Sequence, residues 1–305
     1  MTDARDRGAV RIAAPAKINL YLHVVGRRPD GFHLLDSLIA FAEIGDQLTL
    51  APARELTLRI DGPFAGSLDA GDGNLIMRAA RALLGDRRGL GAEIRLTKRL
   101  PVASGIGGGS ADAAAALLGL RRLHGLDIGD AHLREIGFAI GADLPVCLAG
   151  VASFVGGIGE RIEPAPALPA VHLVLVNPGR PLPTAAVFKR RADGPDGARF
   201  SAPARWQDSL ADAAALAERL AARRNDLSEA ARALLPAIDE ALDRLGRQPD
   251  CLLARLSGSG ATCFGLFGDE GGAARAAAAI SAARPGWWVV ATQLRTRPAM
   301  AELRG

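Results

Sequence analysis

The residues with the clearest chemical meaning form a glycine-rich segment at positions 101–117, which reads PVASGIGGGSADAAAAL. Glycine occupies positions 105, 107, 108 and 109, and an alanine-rich stretch after Ser110 predicts a helix. Glycine allows positive φ angles and lets a ligand approach the backbone closely. The start of a helix adds unpaired N–H groups and a partial positive charge. The segment therefore predicts an anion site whose usual ligand is phosphate, as part of a nucleotide.

Two common phosphate-binding motifs do not describe this loop. A Walker A loop continues with Gly-Lys-Ser/Thr, but here Gly109 is followed by Ser110 and Ala111. The dinucleotide fingerprint requires a third glycine where Asp112 stands. From the pattern alone, a tight strand-to-helix turn without a ligand is the alternative interpretation.

Two charged side chains elsewhere could act on a bound phosphate. Lys17 lies inside an otherwise apolar strand pattern, in a chain where three of the 37 basic residues are lysine. The other two, Lys98 and Lys189, also lie beside segments that are notable on other grounds. Asp143, in the sequence Gly-Ala-Asp-Leu-Pro, is a carboxylate that could accept a proton. Taken singly, such a lysine is more often a surface residue, and such an aspartate is more often a loop or capping residue.

Length and composition restrict the kind of protein. With 305 residues, 49% of them apolar, the chain can form two domains with buried cores. No apolar run reaches the length of a membrane span, and residues 1–11 lack the apolar region of a signal peptide. The three cysteines have no spacing typical of a disulfide framework or a zinc site, which suits a cytoplasmic protein. A net charge of +4 with scattered basic residues disfavours nucleic-acid binding and suits an anionic small molecule.

Hydrophobic periodicity predicts strands and helices in both halves of the chain, and hence an α+β fold. The predicted strands span 10–14, 18–25, 34–42, 47–50, 56–60, 93–97, 151–155, 172–176 and 287–294, with a strand pair within 253–267. The predicted helices span 75–84, with Asn74 as N-cap, 111–123, 131–140, 208–223, 228–245 and 271–283. Five prolines predict that 178–203 is mostly loop. Gly141 is predicted to end the helix at 131–140 as its C′ glycine.

Three segments, in order along the chain, resemble the signature motifs of the GHMP small-molecule kinases. They are APAKINLYL around Lys17, PVASGIGGGSADAA and LSGSGATCF. The resemblance implies an α+β, two-domain GHMP kinase fold. The N-terminal domain, residues 1–160, would resemble ribosomal protein S5 and bind ATP, and the C-terminal domain, residues 161–305, would be a ferredoxin-like α/β domain. The active site would lie in the cleft between the two domains.

Four further segments resemble one group within this family: PAKINLYLHVVGRRPDGFHLLDSLIAF, NLIMRAARAL, GADLPVCLAG and NDLSEAA. Members of that group use ATP to phosphorylate the tertiary 2-hydroxyl of a cytidine diphosphate-linked sugar alcohol in the non-mevalonate isoprenoid pathway. The resemblance implies the same activity here, with ATP and Mg²⁺ as cofactors and no nucleic-acid or membrane partner. The alternatives are a GHMP kinase of the homoserine or mevalonate type and a non-catalytic nucleotide-binding regulator. The DGFHLL segment disfavours the first, and the presence of both Lys17 and Asp143 disfavours the second.

The resemblance also implies roles for individual residues of the catalytic and ATP sites. Asp143 would accept the substrate proton, and Lys17 would pair with it and stabilise the developing alkoxide. ATP would be bound by the glycine loop and two further side chains: Pro101, Val102, Ala103, Ser104, Gly105, Ile106, Gly107, Gly108, Gly109, Ser110, Ala111, Asp112, Asn74 and Lys98. Ser110 would contact phosphate or Mg²⁺, and Asp112 would either bind Mg²⁺ or cap the helix N-terminus.

The resemblance assigns a second set of residues to the substrate: Asn19, Phe32, His33, Thr184, Phe188, Gly258, Ser259 and Gly260. Phe32 stands where the family usually has tyrosine, so stacking is kept and any hydroxyl contact is lost. Asn19 should face the same cleft as Lys17, because both are odd-numbered positions of one strand. Two alternatives stay open, since His33 could be a half-buried turn histidine and the glycine turn at 257–260 a plain β-hairpin.

Overall fold

The computed structural model describes residues 8–85, 87, 89–195, 197 and 199–297. Its strands are β1 Val10–Arg27, β2 His33–Ala53, β3 Thr57–Asp61, β4 Gly91–Thr97, β5 Ser153–Gly157, β6 Arg161–Pro164, β7 His172–Asn177, β8 Cys251–Leu256, β9 Cys263–Phe267 and β10 Trp288–Gln293. Its helices are α1 Leu75–Leu84, α2 Gly108–Leu123, α3 Asp130–Ile140, α4 Leu144–Ala149, α5 Thr184–Asp193, α6 Ala213–Ala221, α7 Ser228–Leu234, α8 Ala237–Gly246 and α9 Glu270–Ala283. The signal-peptide prediction concerned residues 1–11, of which 1–7 lie outside the described residues.

The larger sheet contains the strand order β3-β4-β2-β5-β6, with β1 paired to β2. The two strands predicted at 10–14 and 18–25 form the single strand β1, and those predicted at 34–42 and 47–50 form the single strand β2. Pro15 does not interrupt β1, because the pairing register shifts between Pro15 and Lys17. At this irregularity the Lys17 backbone N–H donates to the carbonyl of Ile106 at 2.9 Å. The bulge thereby attaches β1 to the glycine loop.

Helices α1 to α4 belong to the first core, which they form with the larger sheet. Helix α2 is alanine-rich on its buried side, so it approaches the strands closely. A Cβ at Gly119 would lie 2.7 Å from Leu50. The predicted cap of α1 is confirmed, because the Asn74 side chain accepts from the backbone N–H of Ile76 at 2.9 Å. The predicted end of the helix at Gly141 is confirmed, since α3 ends at Ile140, but Gly141 is the C-cap with an extended backbone (φ of −173°) and not a C′ glycine.

The smaller sheet has the order β10-β7-β9-β8, and all of its pairs are antiparallel. Numbered within the domain, this order is 4-1-3-2, with helices between its first and second strands and between its third and fourth. This is the ferredoxin-like arrangement that the resemblance implied.

Two helix predictions and one loop prediction in the C-terminal half are corrected. The predicted helix 228–245 is two helices, because Pro236 lies between α7 and α8 and disfavours helical backbone in the residue before it. The helix predicted at 208–223 is the shorter α6, Ala213–Ala221. It begins after Asp212, whose side chain caps the first turn by accepting from the N–H of Ala215. The predicted loop 178–203 contains α5, which Pro183 directly precedes. Proline is favourable at a helix start, so proline content was a poor guide here.

The C-terminal half of the chain contacts β1, β2 and the glycine loop. Ala42 and Leu294 form an antiparallel bridge, and the Thr262 N–H donates to the Ser104 carbonyl at 3.0 Å. The division at residue 160 stays a proposal. Because β6 pairs with β5 of the larger sheet, a boundary after Pro164 fits the topology better. Among the described residues, no helix has both the length and the apolar composition needed to cross a membrane.

Candidate active site

A cleft of about 1520 Å³ is lined by the glycine loop, by β1 and by the C-terminal turn at 257–260. Most residues predicted for the site line it: Lys17, Asn19, Phe32, His33, Asn74, Lys98, Pro101, Val102, Ala103, Ser104, Gly105, Gly107, Gly108, Gly109, Ser110, Asp112, Asp143, Thr184, Phe188, Gly258 and Ser259. Ile106, Ala111 and Gly260 are not among the lining residues. Ile106 and Ala111 are buried in the cores, and Gly260 packs against Gly105.

The glycines of the loop are required by the protein's own packing and not only by the approach of a ligand. Gly105 and Gly107 have φ of +76° and +63°. A Cβ at Gly105 would lie 2.6 Å from the Gly260 carbonyl oxygen, and one at Gly107 would lie 2.9 Å from Lys17 Cε. Gly107 is also the N-cap of α2 and provides no side-chain cap. The first turn of α2 therefore offers backbone N–H groups to an anion at a place where larger residues would displace Lys17.

Lys17 and Asp143, 126 positions apart in the sequence, form an ion pair in the cleft. Lys17 Nζ lies 3.1 Å from Asp143 Oδ2, with the lysine side chain 5% exposed and the aspartate side chain 45% exposed. Lys17 Nζ also donates to Asn19 Oδ1 at 2.9 Å. Since an ammonium group has three donors, these two described partners leave one for a ligand. The predicted pairing and the predicted placement of Asn19 are confirmed, while the catalytic roles stay predictions.

Ser37 determines which way the Asn19 amide points. The Asn19 Nδ2 group donates to Ser37 Oγ at 2.9 Å, and Ser37 Oγ donates to the Tyr21 carbonyl at 2.5 Å. With its nitrogen engaged in this way, Asn19 presents its oxygen to Lys17. Ser37 was not predicted as a site residue, because it lies on β2 and nothing in the segment PAKINLYLHVVGRRPDGFHLLDSLIAF, which contains it, indicates its role.

Lys98 lies beneath the first turn of α2 and not on an open surface. Its ammonium donates to Asp46 Oδ2 at 2.5 Å and to Asp112 Oδ2 at 2.7 Å, and all three side chains are buried. Burial acts to lower the pKa of Lys98, but Asp112 and Asp46 outweigh it and the net shift is upward. Burial, joined by repulsion from Asp46, raises the pKa of Asp112.

The contacts of this cluster correct the predicted capping role of Asp112 and add Asp46 to the residues near the site. Asp112 does not cap α2, because Gly107 is the N-cap and Asp112 lies inside the helix. Asp112 Oδ1 is buried and has no hydrogen-bond partner among the described residues. Asp46 was missed because it lies on β2, far in sequence from the loop that it contacts.

Aromatic and imidazole rings line another part of the cleft. Phe32 is 60% exposed, and the His33 ring stacks on Phe188 at 5.1 Å with an interplanar angle of 28°. His33 Nε2 is buried and makes no hydrogen bond within the described part of the chain. Burial first, then the positive charges of Arg191 and Arg27, lower the pKa of His33 below its ordinary value of 6.5. The lowered pKa favours the neutral imidazole at neutral pH.

The C-terminal glycine turn packs directly on the glycine loop. Gly258 has φ of +55°, and a Cβ there would lie 2.9 Å from the Gly105 carbonyl oxygen. Asn225 Nδ2 donates to the carbonyls of Leu256 at 2.9 Å and Gly258 at 2.7 Å, which holds the turn in place. Next to it, the hydroxyl oxygens of Thr184 and Ser259 lie 2.8 Å apart. The turn is therefore part of the cleft wall and not an isolated hairpin.

Comparisons with known proteins agree with this geometry. The GHMP kinase N-terminal domain matches residues 74–151, and the GHMP kinase C-terminal domain matches residues 208–285. A protein of Paramagnetospirillum magneticum named 4-diphosphocytidyl-2-C-methyl-D-erythritol kinase is 54% identical over 93% of this chain and 98% of its own length. A protein of Rhodospirillum rubrum with the same name is 50% identical over 92% of this chain and 91% of its own length.

Solved structures give the same result. A crystal structure of 4-(cytidine 5′-diphospho)-2C-methyl-D-erythritol kinase has a TM-score of 0.75 and 35% identity, covering 93% of this chain and 98% of its own. The structure of homoserine kinase from Cytophaga hutchinsonii has a TM-score of 0.68 and covers 97% of this chain and 98% of its own. Because its sequence identity is 15%, this likeness shows the fold alone. The chain therefore belongs to the GHMP kinases, within their 4-diphosphocytidyl-2-C-methyl-D-erythritol kinase branch.

Proposed function

We propose that this kinase transfers the γ-phosphoryl group of ATP to the 2-hydroxyl of 4-diphosphocytidyl-2-C-methyl-D-erythritol. The observation that carries the proposal is the Lys17–Asp143 pair, with Nζ and Oδ2 3.1 Å apart, in the same cleft as the glycine loop and the His33 pocket. Phosphoryl transfer needs held phosphates, neutralised charge and a hydroxyl placed in line with the phosphorus. The cleft offers groups for each of these tasks.

The first turn of α2 would bind the ATP phosphates. Its N-cap, Gly107, makes no side-chain cap, so the following N–H groups and the helix dipole are available to the β- and γ-phosphates. Mg²⁺ would neutralise charge on those phosphates. Among the described residues, no group of three or more His, Cys, Asp or Glu side chains could hold a metal ion. This fits a Mg²⁺ ion that takes most of its oxygen ligands from ATP and water, with the Ser110 hydroxyl as a protein ligand.

Asp143 would accept the proton of the attacking hydroxyl, and Lys17 would stabilise the oxygen as negative charge develops on it. A carboxylate can accept a proton, and the Lys17 ammonium lies 3.1 Å from Asp143 Oδ2, next to the place where the negative charge would develop. Asn19 would keep Lys17 from rotating away, because its oxygen holds the ammonium at 2.9 Å. Most of the rate gain would come from this positioning, since phosphoryl transfer requires little covalent assistance.

His33 and Phe32 would recognise the cytosine of the substrate. The His33 ring lines the cleft, and its Nε2 atom, which is buried and has no hydrogen-bond partner among the described residues, would pair with the polar edge of a base after the ring turns towards the ligand. Phe32, exposed in the cleft, can stack on the face of the base. Thr184 and Ser259 would then lie near the ribose and diphosphate, beside the backbone of Gly258.

A coupled assay of ADP release tests the proposal against its alternatives. The purified chain is given MgATP with 4-diphosphocytidyl-2-C-methyl-D-erythritol, with homoserine or with mevalonate. We expect turnover with the first acceptor alone, and Asp143→Asn as the control should abolish most of it. Turnover with homoserine or mevalonate instead would assign another GHMP activity, and ATP binding without any turnover would indicate a regulator.

A further inference from the structure

A buried side-chain cluster beneath the phosphate loop has no role in the proposed phosphoryl transfer, although Lys98 and Asp112 were predicted to contact ATP. It consists of Asp46, Lys98 and Asp112, whose side chains are 0%, 2% and 4% exposed. Besides the Lys98 ammonium, Asp46 binds the chain backbone. Its Oδ1 accepts from the N–H of Arg99 at 2.6 Å and from that of Leu100 at 2.9 Å. Asp46 thus accepts three hydrogen bonds from a segment that lies about 50 residues away in the sequence.

The cluster joins the two ends of the loop. Arg99 and Leu100 directly precede the loop at 101–107, and Asp112 lies in the second turn of α2, which follows it. Lys98 bridges the two sides, because its ammonium binds Asp46 and Asp112 together. The same ammonium lies directly under the anion-binding turn, since a Cβ at Gly108 would be 3.0 Å from Lys98 Nζ. Strand β2 thereby anchors both the entry and the exit of the loop.

We infer that Asp46 is a positioning residue for ATP: through Lys98 and Asp112 it holds both ends of the glycine loop in the geometry that binds phosphate. The inference rests on the proposed function, in which this loop binds ATP. A loop with glycines at positions 105, 107, 108 and 109 has high conformational entropy when it is free. Anchors at both ends reduce the number of conformations that must be lost on binding, so they increase nucleotide affinity.

The variant Asp46→Asn tests this most directly. An asparagine has one acceptor oxygen, so it can serve the two backbone N–H groups or Lys98, but not both. The remaining Lys98–Asp112 pair is charge-balanced, which limits the cost to folding. The matched control is Asp130→Asn, the same substitution near the far end of α2, where Asp130 forms an exposed ion pair with Arg121. Thermal unfolding of each variant reports whether it is folded.

Calorimetry then measures ADP binding in the presence of EDTA and, separately, CDP binding. We expect Asp46→Asn to weaken ADP binding about tenfold or more, equivalent to about 1.4 kcal/mol, and to change CDP binding by less than about twofold. Asp130→Asn should leave both affinities close to wild type. Unchanged ADP affinity in a folded Asp46→Asn variant, or equal losses of ADP and CDP affinity, would overturn the inference. If the wild-type chain itself bound no ADP, the proposed ATP site would be wrong instead.

A second pair of variants keeps the inference testable if Asp46→Asn does not fold. Asp112→Ala removes the tie to α2, whereas Asp112→Asn keeps an oxygen that can accept from Lys98. We expect the alanine variant to lose more affinity for metal-free ADP than the asparagine variant. Equal affinities in the two variants would contradict the inference. Losses confined to the Mg²⁺ complex would also contradict it and would assign Asp112 to the metal.

Discussion

Replacing Gly107 by alanine should separate the two reasons why this position is glycine. The residue has φ of +63°, and an added Cβ would lie 2.9 Å from Lys17 Cε and 3.1 Å from Lys17 Cβ. The backbone term costs about 1–2 kcal/mol of stability, the usual penalty for a left-handed L-residue. The added Cβ would also clash with the Lys17 side chain, which is buried and held between Asp143 and Asn19. Relief of this clash must therefore move the Lys17 ammonium.

The matched control is Gly125→Ala, just beyond the other end of α2. Gly125 has φ of +57°, and no atom of the described residues lies within 4 Å of its added Cβ. Both variants should therefore lose the stability that the left-handed backbone costs, and Gly107→Ala should lose the cost of the contact with Lys17 in addition. Only Gly107→Ala should lose activity. A displacement of Lys17 by about 1 Å corresponds to a loss of kcat of about 10²-fold.

Steady-state ADP release, measured at saturating ATP and substrate, gives the comparison. The reasoning predicts that Gly125→Ala keeps kcat close to wild type while Gly107→Ala loses about 10²-fold. If the two variants had equal kcat values, the contact between position 107 and Lys17 would have no catalytic importance. If Gly107→Ala instead retained kcat and lost ATP affinity alone, the glycine would serve only the approach of phosphate.

Three further predictions concern the catalytic pair and the cytosine pocket. Asp143→Asn should retain ADP binding and lose kcat by about 10²-fold or more. The double variant with Lys17→Ala should have a kcat scarcely lower than that of either single variant, because the pair acts as a unit. Additive losses in kcat would refute this. Phe32→Ala should raise KM for the substrate and spare kcat. CDP should inhibit better than UDP, because uracil would leave a polar group of the site unpaired at a cost of about 1–3 kcal/mol. Equal inhibition by CDP and UDP would remove the cytosine assignment. Burial lowers the pKa of His33 below its ordinary value of 6.5, so the ratio of the CDP affinity of wild type to that of His33→Asn should fall to half its high-pH value only below pH 6.5. A ratio already halved at about pH 6.5 would indicate an unshifted imidazole.

The parts of the site that sequence could predict are those with a local pattern. The glycine loop and the Asn74 cap are short motifs whose residue types directly reflect backbone requirements. The pairing of Lys17 with Asp143 came from the family resemblance, since the residues are 126 positions apart and neither position alone indicates the other. The ion pair is present, and its role in catalysis stays a prediction.

The parts that sequence missed depend on long-range packing. Ser37 and Asp46 both lie on β2 and act on segments that only the folded sheet brings near. Their polar side chains in a strand pattern look like ordinary interruptions of an apolar face. Helix α5 was missed because the surrounding prolines suggested loop, although Pro183 precedes the first helical turn and does not interrupt it.

The central claim is the transfer of a phosphoryl group to a tertiary hydroxyl, and phosphorus NMR of the product tests it most directly. The carbon that carries the 2-hydroxyl of 4-diphosphocytidyl-2-C-methyl-D-erythritol has no hydrogen. A phosphomonoester formed there gives a resonance without splitting by a carbinol proton. We predict that the chain, incubated with MgATP and this substrate, produces ADP and one such unsplit phosphomonoester signal. A signal split by carbinol protons would place the new phosphate on another hydroxyl, and the absence of any new phosphomonoester would contradict the assignment of this kinase to that substrate.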